Sequence, residues 1–237
     1  MRIELQPAYI IHRRAYRNTS WLLDAFTCEH GLVAMVAKGA KRPGHAWRFL
    51  LEPFKPLLLS FSGRGELMTL LAAEQGGRLH TLSGDAIYAG MYLNELLQRL
   101  LHRNDPHEAL YSMYADALHE LAVVHSSIEP ALRRFELGLL RELGYGLQLD
   151  HNFDTDQTYY YDVEHGPVAG NSPTGNWPLV SGRCLVSLAD GNFSNPEILR
   201  EMKRLLRSIL NHYLAGRPLK SRELFSGEMG TGRSGDV

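Results

Sequence analysis

The chain has 237 residues, of which 44% are hydrophobic and 22% charged, a composition typical of a globular protein with one large domain or two small ones. A formal net charge of −1 excludes a uniformly basic protein that coats DNA, but the charge is uneven along the chain. Residues 1–80 hold eleven Lys/Arg and six Asp/Glu, a balance of +5, whereas the remainder holds 14 and 20, a balance of −6, which favours a basic N-terminal module on a more acidic body.

Short apolar runs separated by Gly-containing turns predict five β-strands between residues 8 and 75. The strands are expected at residues 9–11, 21–26, 32–37, 56–61 and 67–73. Five short strands of this kind fit a small closed barrel, and the five-stranded OB-fold, which binds oligonucleotides and oligosaccharides, is the natural candidate. An SH3-like barrel fits the strand count nearly as well.

The cations of this region lie mostly between the predicted strands. The apolar run 32–37 ends in a loop that contains glycine, proline and three cations, Lys38, Lys41 and Arg42. Such a loop can contact a phosphate backbone without reading bases, although an ordinary solvated loop explains it equally well. The candidate DNA-binding residues are Arg13, Arg14, Arg17, Lys38, Lys41, Arg42, Arg48 and Arg64. Trp47 lies among them and fits either stacking on a base or packing beneath its own loop.

Helical spacing of apolar residues begins after residue 83. Helices are expected at residues 87–101, from 106 to about 124, at 129–143 and at 196–214, with Met91 and Leu143 among the core positions. Residues 83–85 can cap the first of these helices, and residues 126–129 have the spacing of a capping box. Glycines at 144–146 predict a C-cap, and residues 195–197 (Asn-Pro-Glu) predict an N-cap with proline in the first turn.

Residues 147–194 are polar and rich in Gly, Asn, Pro and Asp, which predicts a small irregular insert. Within it, residues 159–161 and 167–169 can form a hairpin, and a degenerate metal-binding subdomain is an alternative interpretation. The expected organisation is therefore α+β: a barrel domain over 1–80, then an all-helical domain over 81–226 that carries the insert. Residues 227–237 are Gly/Ser-rich and are expected to form a disordered tail.

No set of residues with catalytic spacing is found in the sequence. It contains no nucleophile elbow, phosphate-binding loop or dinucleotide fingerprint. His119, Glu120 and His125 suggest a zinc hydrolase, but histidines six residues apart lie about 120° apart on a helix and cannot share a metal. We therefore predict that the chain is not an enzyme and needs no cofactor.

The two cysteines, Cys28 and Cys184, lie far apart in sequence. By themselves they can build neither a disulfide framework nor a four-ligand zinc site. The N-terminus has no apolar region of the kind found in signal peptides, and no run of eighteen apolar residues occurs. We expect a cytoplasmic protein without a membrane span.

Several segments, in order along nearly the whole chain, are similar to the RecO family of bacterial recombination mediators. They are residues 37–41 (AKGAK), 50–54 (LLEPF), 63–66 (GRGE), 92–97 (YLNELL), 129–137 (EPALRRFEL) running to 143–146 (LGYG), and 216–225 (GRPLKSRELF). The last two are the most specific.

The resemblance implies an N-terminal OB-fold barrel and a helical C-terminal domain. It implies a DNA repair protein, associated with the nucleoid during repair, that binds single- and double-stranded DNA and anneals complementary strands. With RecR, such a protein helps to load RecA onto DNA coated by single-strand-binding protein. Some members have a four-cysteine zinc motif in the insert, where this chain has only Cys184, so no zinc is expected. The alternative function is a helical adaptor whose barrel binds RNA or a protein.

The bacterial single-strand-binding protein has an acidic tail with an apolar tip, which needs an apolar notch rimmed by cations. Two predicted helices can supply one. The candidate residues are Leu132, Arg133, Arg134 and Phe135 on the first, which we prefer, and Arg200, Lys203, Arg204 and Arg207 on one face of the second. The second helix can instead extend a DNA path. The simpler alternative is that the apolar members are core residues and the cations a solvated face.

Overall fold

The structure is a computed structural model. It describes residues 2–79, 81–123, 127–149, 152–170 and 177–225. The described chain forms two compact units: the first comprises residues up to 123 together with 219–225, and the second comprises residues from 127 to 218. The predicted tail, 227–237, and His125 lie outside the described residues.

The first unit begins with a closed five-stranded barrel. Its strands are β1 (Arg2–Tyr16), β2 (Ser20–Thr27), β3 (Gly31–Ala37), β4 (Leu57–Ser62) and β5 (Leu67–Gln75). Around the barrel the order is β1-β2-β3-β5-β4, in which only the β3–β5 pair is parallel. A short helix, α1 (Trp47–Leu50), lies between β3 and β4 in sequence. This arrangement is that of the OB-fold, so the predicted barrel is confirmed and the SH3-like alternative is wrong.

Strand β1 closes the barrel because it is long enough to pair on both sides. Its first half pairs with β4 and its second half with β2, and the register shifts between Ile3 and Gln6 and between Ile10 and His12. Such bulges bend a strand and increase its twist, which lets one strand belong to both sides of the barrel. The interior is apolar, and Ile10, Leu59 and Phe61 are fully buried.

Besides α1, the described helices of the first unit are α2 (Asp85–Leu100), α3 (Glu108–Val123) and α7 (Ser221–Phe225). Helix α2 is fixed to the barrel by polar contacts: Asn94 donates to the carbonyl of Ile11, and Gln98 donates to Asp24. Two sequence expectations about α2 are wrong. Met91 is 43% exposed rather than a core residue, and the helix begins after Gly84 without a side-chain cap.

Glu95 of α2 holds the segment that leads into α7. Its carboxylate accepts hydrogen bonds from the backbone N–H of Lys220 and from both the N–H and the hydroxyl of Ser221. Burial raises the pKa of Glu95, but these hydrogen bonds and Arg99 outweigh it, so the pKa lies below its usual 4.5. The ionised carboxylate therefore holds the segment that leads into α7 against α2.

Replacing Glu95 by Gln is expected to lower the free energy of unfolding by about 2 kcal/mol at neutral pH, because charge-assisted hydrogen bonds become neutral ones. Since the folded-state pKa lies below the unfolded one, this stabilisation is fully present above the unfolded pKa and is lost as the pH falls through the folded-state pKa. Urea denaturation at several acidic pH values should show a flatter pH dependence for the variant. The exposed Glu74→Gln should behave as the wild type does, and equal acid sensitivity of all three proteins would contradict the assignment.

The second unit combines helices with a small sheet. Its elements are α4 (Glu129–Glu142), β6 (Thr158–Asp162), β7 (Gly166–Ala169), β8 (Leu179–Ser181), α5 (Gly182–Ala189) and α6 (Pro196–Tyr213). The strands form one sheet in the order β7-β6-β8, and α4 and α5 pack against α6. The predicted hairpin is confirmed as the β6–β7 pair.

The prediction that the rest of the insert is irregular is wrong for residues 179–189, where β8 and α5 are regular. Ser181 caps α5 by accepting from the N–H of Cys184, and it is itself held by Glu201 of α6. At Gly182 a Cβ would collide with the backbone of Asp154, so glycine permits this close approach. The contacts that order the segment come from residues distant in sequence.

The ends of α4 and α6 follow their sequence signals only in part. Asn195 accepts from the N–H groups of Glu197 and Ile198, which confirms the predicted N-cap of α6. Helix α4 begins after Ile128 without a side-chain cap, and its predicted capping residue, Ser126, lies outside the described residues. Leu143, which was expected in the core, is the C-cap residue of α4 and is only half-buried.

None of the described helices is long and apolar enough to cross a membrane.

Candidate nucleic-acid interface

One end of the barrel gathers most of the predicted DNA-binding residues. Strand β1 ends there and β2 begins there, since Tyr16 pairs with Ser20, and β3 ends beside them, since Trp21 pairs with Ala37. The loop after β3 is tied to the β1–β2 turn by a hydrogen bond from the N–H of Lys41 to the carbonyl of Thr19. We call this end the cationic end; its members are Arg13, Arg14, Arg17, Lys38, Lys41, Arg42 and Arg48.

Trp21 lies at the centre of the cationic end and was not singled out from the sequence. Its ring is partly buried against the barrel core. The guanidinium of Arg13 lies 4.5 Å and the ammonium of Lys41 lies 5.4 Å from the ring centroid. Cations in this position are attracted by the ring face, so Trp21 holds two like charges close together.

Arg13 is a positioning residue rather than an exposed cation. Its Nη1 donates to the carbonyl oxygens of Arg48 and Leu51, at 3.1 Å each. These carbonyls belong to the last turn and C-cap of α1, which are the groups that a short helix leaves without intrahelical partners. Arg13 therefore holds α1 against β1 and fixes the position of the Arg48 backbone.

The other members of the cationic end are available to a ligand. Arg14, Arg17, Lys38, Arg42 and Arg48 are exposed, and Lys41 is half-buried. Within the part of the chain that the structure describes, none of them forms an ion pair with a carboxylate. Arg17 occupies the left-handed region, with φ of 52°, as does Gly39 with φ of 73°, so both loops turn sharply and bring their cations to one end. Cations at this density, unpaired among the described residues, have the chemistry that attracts phosphate groups.

Arg64 does not belong to the cationic end. It lies in the β4–β5 turn, ahead of the point where Leu67 pairs with Ala34. Because β5 and β3 are parallel, Arg64 lies toward the end at which β3 begins, whereas Lys38 follows the end of β3. The structure therefore separates Arg64 from the other seven cations.

Trp47 packs against the barrel core and is partly buried. Its backbone N–H donates to Nδ1 of His45, and the two rings lie 5.1 Å apart. Of the two alternatives for Trp47, the structure shows packing beneath its own loop.

The preferred tail-binding helix, α4, turns most of its candidate residues inward. Leu132, Arg133 and Phe135 are only 4%, 3% and 1% exposed. Arg133 donates to Glu136 at 2.9 Å and lies 3.8 Å from Glu129, so its charge is already neutralised. Only Arg134 is exposed, with its guanidinium 5.2 Å from the ring of Phe193. The expected notch of apolar groups with a cationic rim is therefore not present at this place.

Helix α6 presents the second set of candidates to solvent. Arg200, Lys203, Arg204 and Arg207 are all exposed. A groove of about 630 Å³ runs along the first turns of α6 and is lined by Ser181, Arg183, Asn195, Glu197, Ile198, Arg200, Glu201, Lys203 and Arg204. Lys203 is paired with Glu129 and Arg183 with Asp156, whereas Arg200 and Arg204 form no ion pair with any described carboxylate. The groove thus offers two unpaired cations beside an apolar side chain, Ile198.

Two family models match the chain: one described as "Recombination protein O N terminal" over residues 1–76, and one described as "Recombination protein O C terminal" over residues 82–223. The "DNA repair protein RecO" of Azoarcus sp. strain BH72 is 46% identical over 233 residues, covering 94% of this chain and 95% of that relative. The protein of the same name from Nitrosococcus oceani is 47% identical over 231 residues, covering 94% and 93%. The chain belongs to the RecO family of DNA repair proteins.

Membership of the RecO family confirms the resemblance that the motifs indicated. A RecO protein is a non-enzymatic mediator of DNA repair, which agrees with the prediction made from the missing catalytic spacing. The RecO-like motif 37–41 spans the end of β3 and the start of the loop that supplies three members of the cationic end.

The two thiols of this RecO chain lie in different units, Cys28 in the first and Cys184 in the second. Burial raises the pKa of Cys28, and burial raises that of Cys184 to about 12. Among the described residues, no three His, Cys, Asp or Glu side chains cluster as a metal site would require.

We expect less than about 0.1 zinc per chain after dialysis, because a structural zinc site needs four ligands. Elemental analysis of the purified protein measures this content, and Cys184→Ser should leave it unchanged. A content near one zinc per chain would contradict the prediction.

Proposed function

We propose that this chain is a recombination mediator that binds single- and double-stranded DNA through the cationic end of its barrel and anneals complementary strands. Together with RecR it helps to load RecA onto DNA coated by single-strand-binding protein, in the cytoplasm and at the nucleoid. The observation that carries the proposal is the set of exposed cations at one end of the barrel that have no carboxylate partner among the described residues. Membership of the RecO family supports it.

The cationic end is suited to annealing because its side chains can neutralise phosphate charges without binding the edges of the bases. Arginine and lysine side chains that contact phosphate fix the position of a strand and carry no sequence preference. Neutralising the phosphates of one strand lowers its repulsion of the complementary strand, while the bases stay free to pair. A site of this kind therefore binds many sequences alike and favours strand pairing.

The test of the proposed function is an annealing assay with two complementary fluorescent strands that are each coated with single-strand-binding protein. We expect the full chain to accelerate duplex formation at low salt, and we expect added salt to remove the acceleration. Unchanged annealing at every protein concentration would contradict the proposal.

For the partner, we propose that the groove along α6 receives the acidic tail of single-strand-binding protein. Ile198 offers an apolar contact for the tip of the tail, and Arg200 and Arg204 offer charges that attract the acidic part. Surface charges of this kind mainly raise the association rate and fix the register, while the apolar contact supplies burial.

Changing Arg200 and Arg204 together to Ala is expected to weaken binding of a labelled tail peptide about tenfold, because two charge contacts are lost. Fluorescence anisotropy with the full chain measures the affinity. The matched control is Arg134→Ala, which removes an exposed cation of α4 outside the groove and should change the affinity by less than about twofold. An equal loss in the control, or none in the double variant, would place the tail elsewhere.

A further inference from the structure

Phe49 is the most exposed of the large apolar side chains described in the first unit. It is 67% exposed, although it stands in α1 between residues that pack on the barrel. Trp47 and Leu50 contact the barrel core, and Leu51 is fully buried. The helix is therefore anchored on its other side and turns one phenyl ring into solvent.

The backbone that carries this ring is held from several directions. Lys55 donates to the carbonyl of Phe49 at 2.6 Å, and Arg13 donates to the carbonyls of Arg48 and Leu51. The N–H of Leu51 donates to the carbonyl of Trp47. An exposed ring on a fixed backbone is a preorganised contact, because little freedom remains to be lost when a ligand covers it.

One cation lies beside the ring, and contacts through α1 and Trp21 connect it to two more. The guanidinium of Arg48 lies 5.7 Å from the ring centroid, and Arg13 links α1 to Trp21, over which Lys41 lies. An aromatic face beside a row of cations is the combination that binds single strands, since phosphates take the cations and an unpaired base stacks on the ring. A duplex keeps its bases stacked on each other and cannot use the ring.

We propose that Phe49 is a stacking platform for an unpaired base, and that it gives the cationic end a preference for single-stranded over duplex DNA. The proposal rests on the proposed function, because the phosphates must reach the cationic end for a base to reach the ring. Phe49 would supply the part of the affinity that does not depend on charge.

The experiment compares three probes of equal length with the full chain: an oligothymidine, an abasic strand with the same phosphates, and a duplex. The wild type should bind the oligothymidine about five- to a hundredfold more tightly than the abasic strand, which is the range measured for stacking on one aromatic ring. Phe49→Ala should abolish this preference and leave duplex and abasic binding within about twofold of the wild type, whereas Phe49→Trp should retain it. The matched control is Leu67→Ala, which removes an exposed apolar side chain of β5 away from the cationic end and should change nothing.

A Phe49→Ala variant that keeps the wild-type preference for bases over the abasic strand would overturn the inference and leave the proposed function standing. A loss shared equally by all three probes would also overturn it, because stacking cannot act on an abasic strand. Wild-type protein that binds none of the probes would overturn the proposed function and the inference together. Thermal unfolding of each variant checks that the exposed substitutions leave the fold intact.

Discussion

The triple variant Lys38→Ala, Lys41→Ala and Arg42→Ala is expected to bind single-stranded DNA about a hundredfold more weakly near 0.1 M salt. Each cation that contacts a phosphate releases a counterion, which contributes about 0.7 to the slope of log affinity against log salt on a single strand, so three contacts flatten the slope by about 2. All sequences should lose affinity alike, because phosphate contacts carry no sequence preference. Fluorescence anisotropy over a series of salt concentrations gives both values.

The single variant Arg64→Ala is the control for charge alone, since Arg64 lies toward the other end of the barrel. Arg64→Ala should change the affinity by less than about twofold. Lys38→Ala, which also removes one exposed cation, should lower the affinity about threefold to fivefold. Normal binding and annealing by the triple variant would show that the loop is only a solvated loop. Equal losses for Arg64→Ala and Lys38→Ala would show that net charge matters and the position of the cations does not.

Arg133→Ala is expected to lower the free energy of unfolding of the second unit by about 3–5 kcal/mol, because it breaks a buried ion pair by removing the cation that contacts Glu136. Arg134→Ala, the neighbouring residue on the exposed face of α4, should cost less than about 1 kcal/mol. Chemical denaturation followed by circular dichroism measures both values. The paired replacement Arg133→Met with Glu136→Leu should recover most of the loss, since apolar side chains of similar volume need no partner.

Similar stabilities of the Arg133 and Arg134 variants would contradict the burial of Arg133 in α4. The expected instability also affects how binding experiments on this helix are designed. A variant that contains Arg133→Ala would lose tail binding through unfolding, so a loss of binding in it says nothing about contact. Arg134 and the cations of α6 are the residues whose replacement tests a surface.

The barrel could be predicted from the sequence because each strand is a short apolar run between glycine-containing turns. The predicted strands at 21–26 and 32–37 fall within the observed β2 and β3. The short helix α1 was missed because four residues carry no periodic signal, and with it the exposure of Phe49. Helix α5 was missed because its order comes from Glu201 and Asp154, which lie outside it in sequence.

The roles of individual arginines were harder to predict than the elements that carry them. Arg13 and Arg14 are adjacent in β1, yet a bulge after Ile10 and the packing of α1 make the first a positioning residue and leave the second exposed. Arg133 and Arg134 differ in the same way on α4. A signal was available there, because Glu136 stands three residues after Arg133, the spacing at which opposite charges pair on a helix.

We infer that the exposed cations of the barrel bind nucleic acid through its phosphates, and a salt titration of the full chain is the direct test. The probes are single-stranded DNA, duplex DNA and RNA of equal length. We expect tight binding of both DNA probes at low salt, and a log affinity for single strands that falls linearly with log salt with a slope of about −4, as expected for the five exposed cations together with the half-buried Lys41. Weak DNA binding that does not change with salt, or binding to RNA alone, would contradict the claim and favour an adaptor.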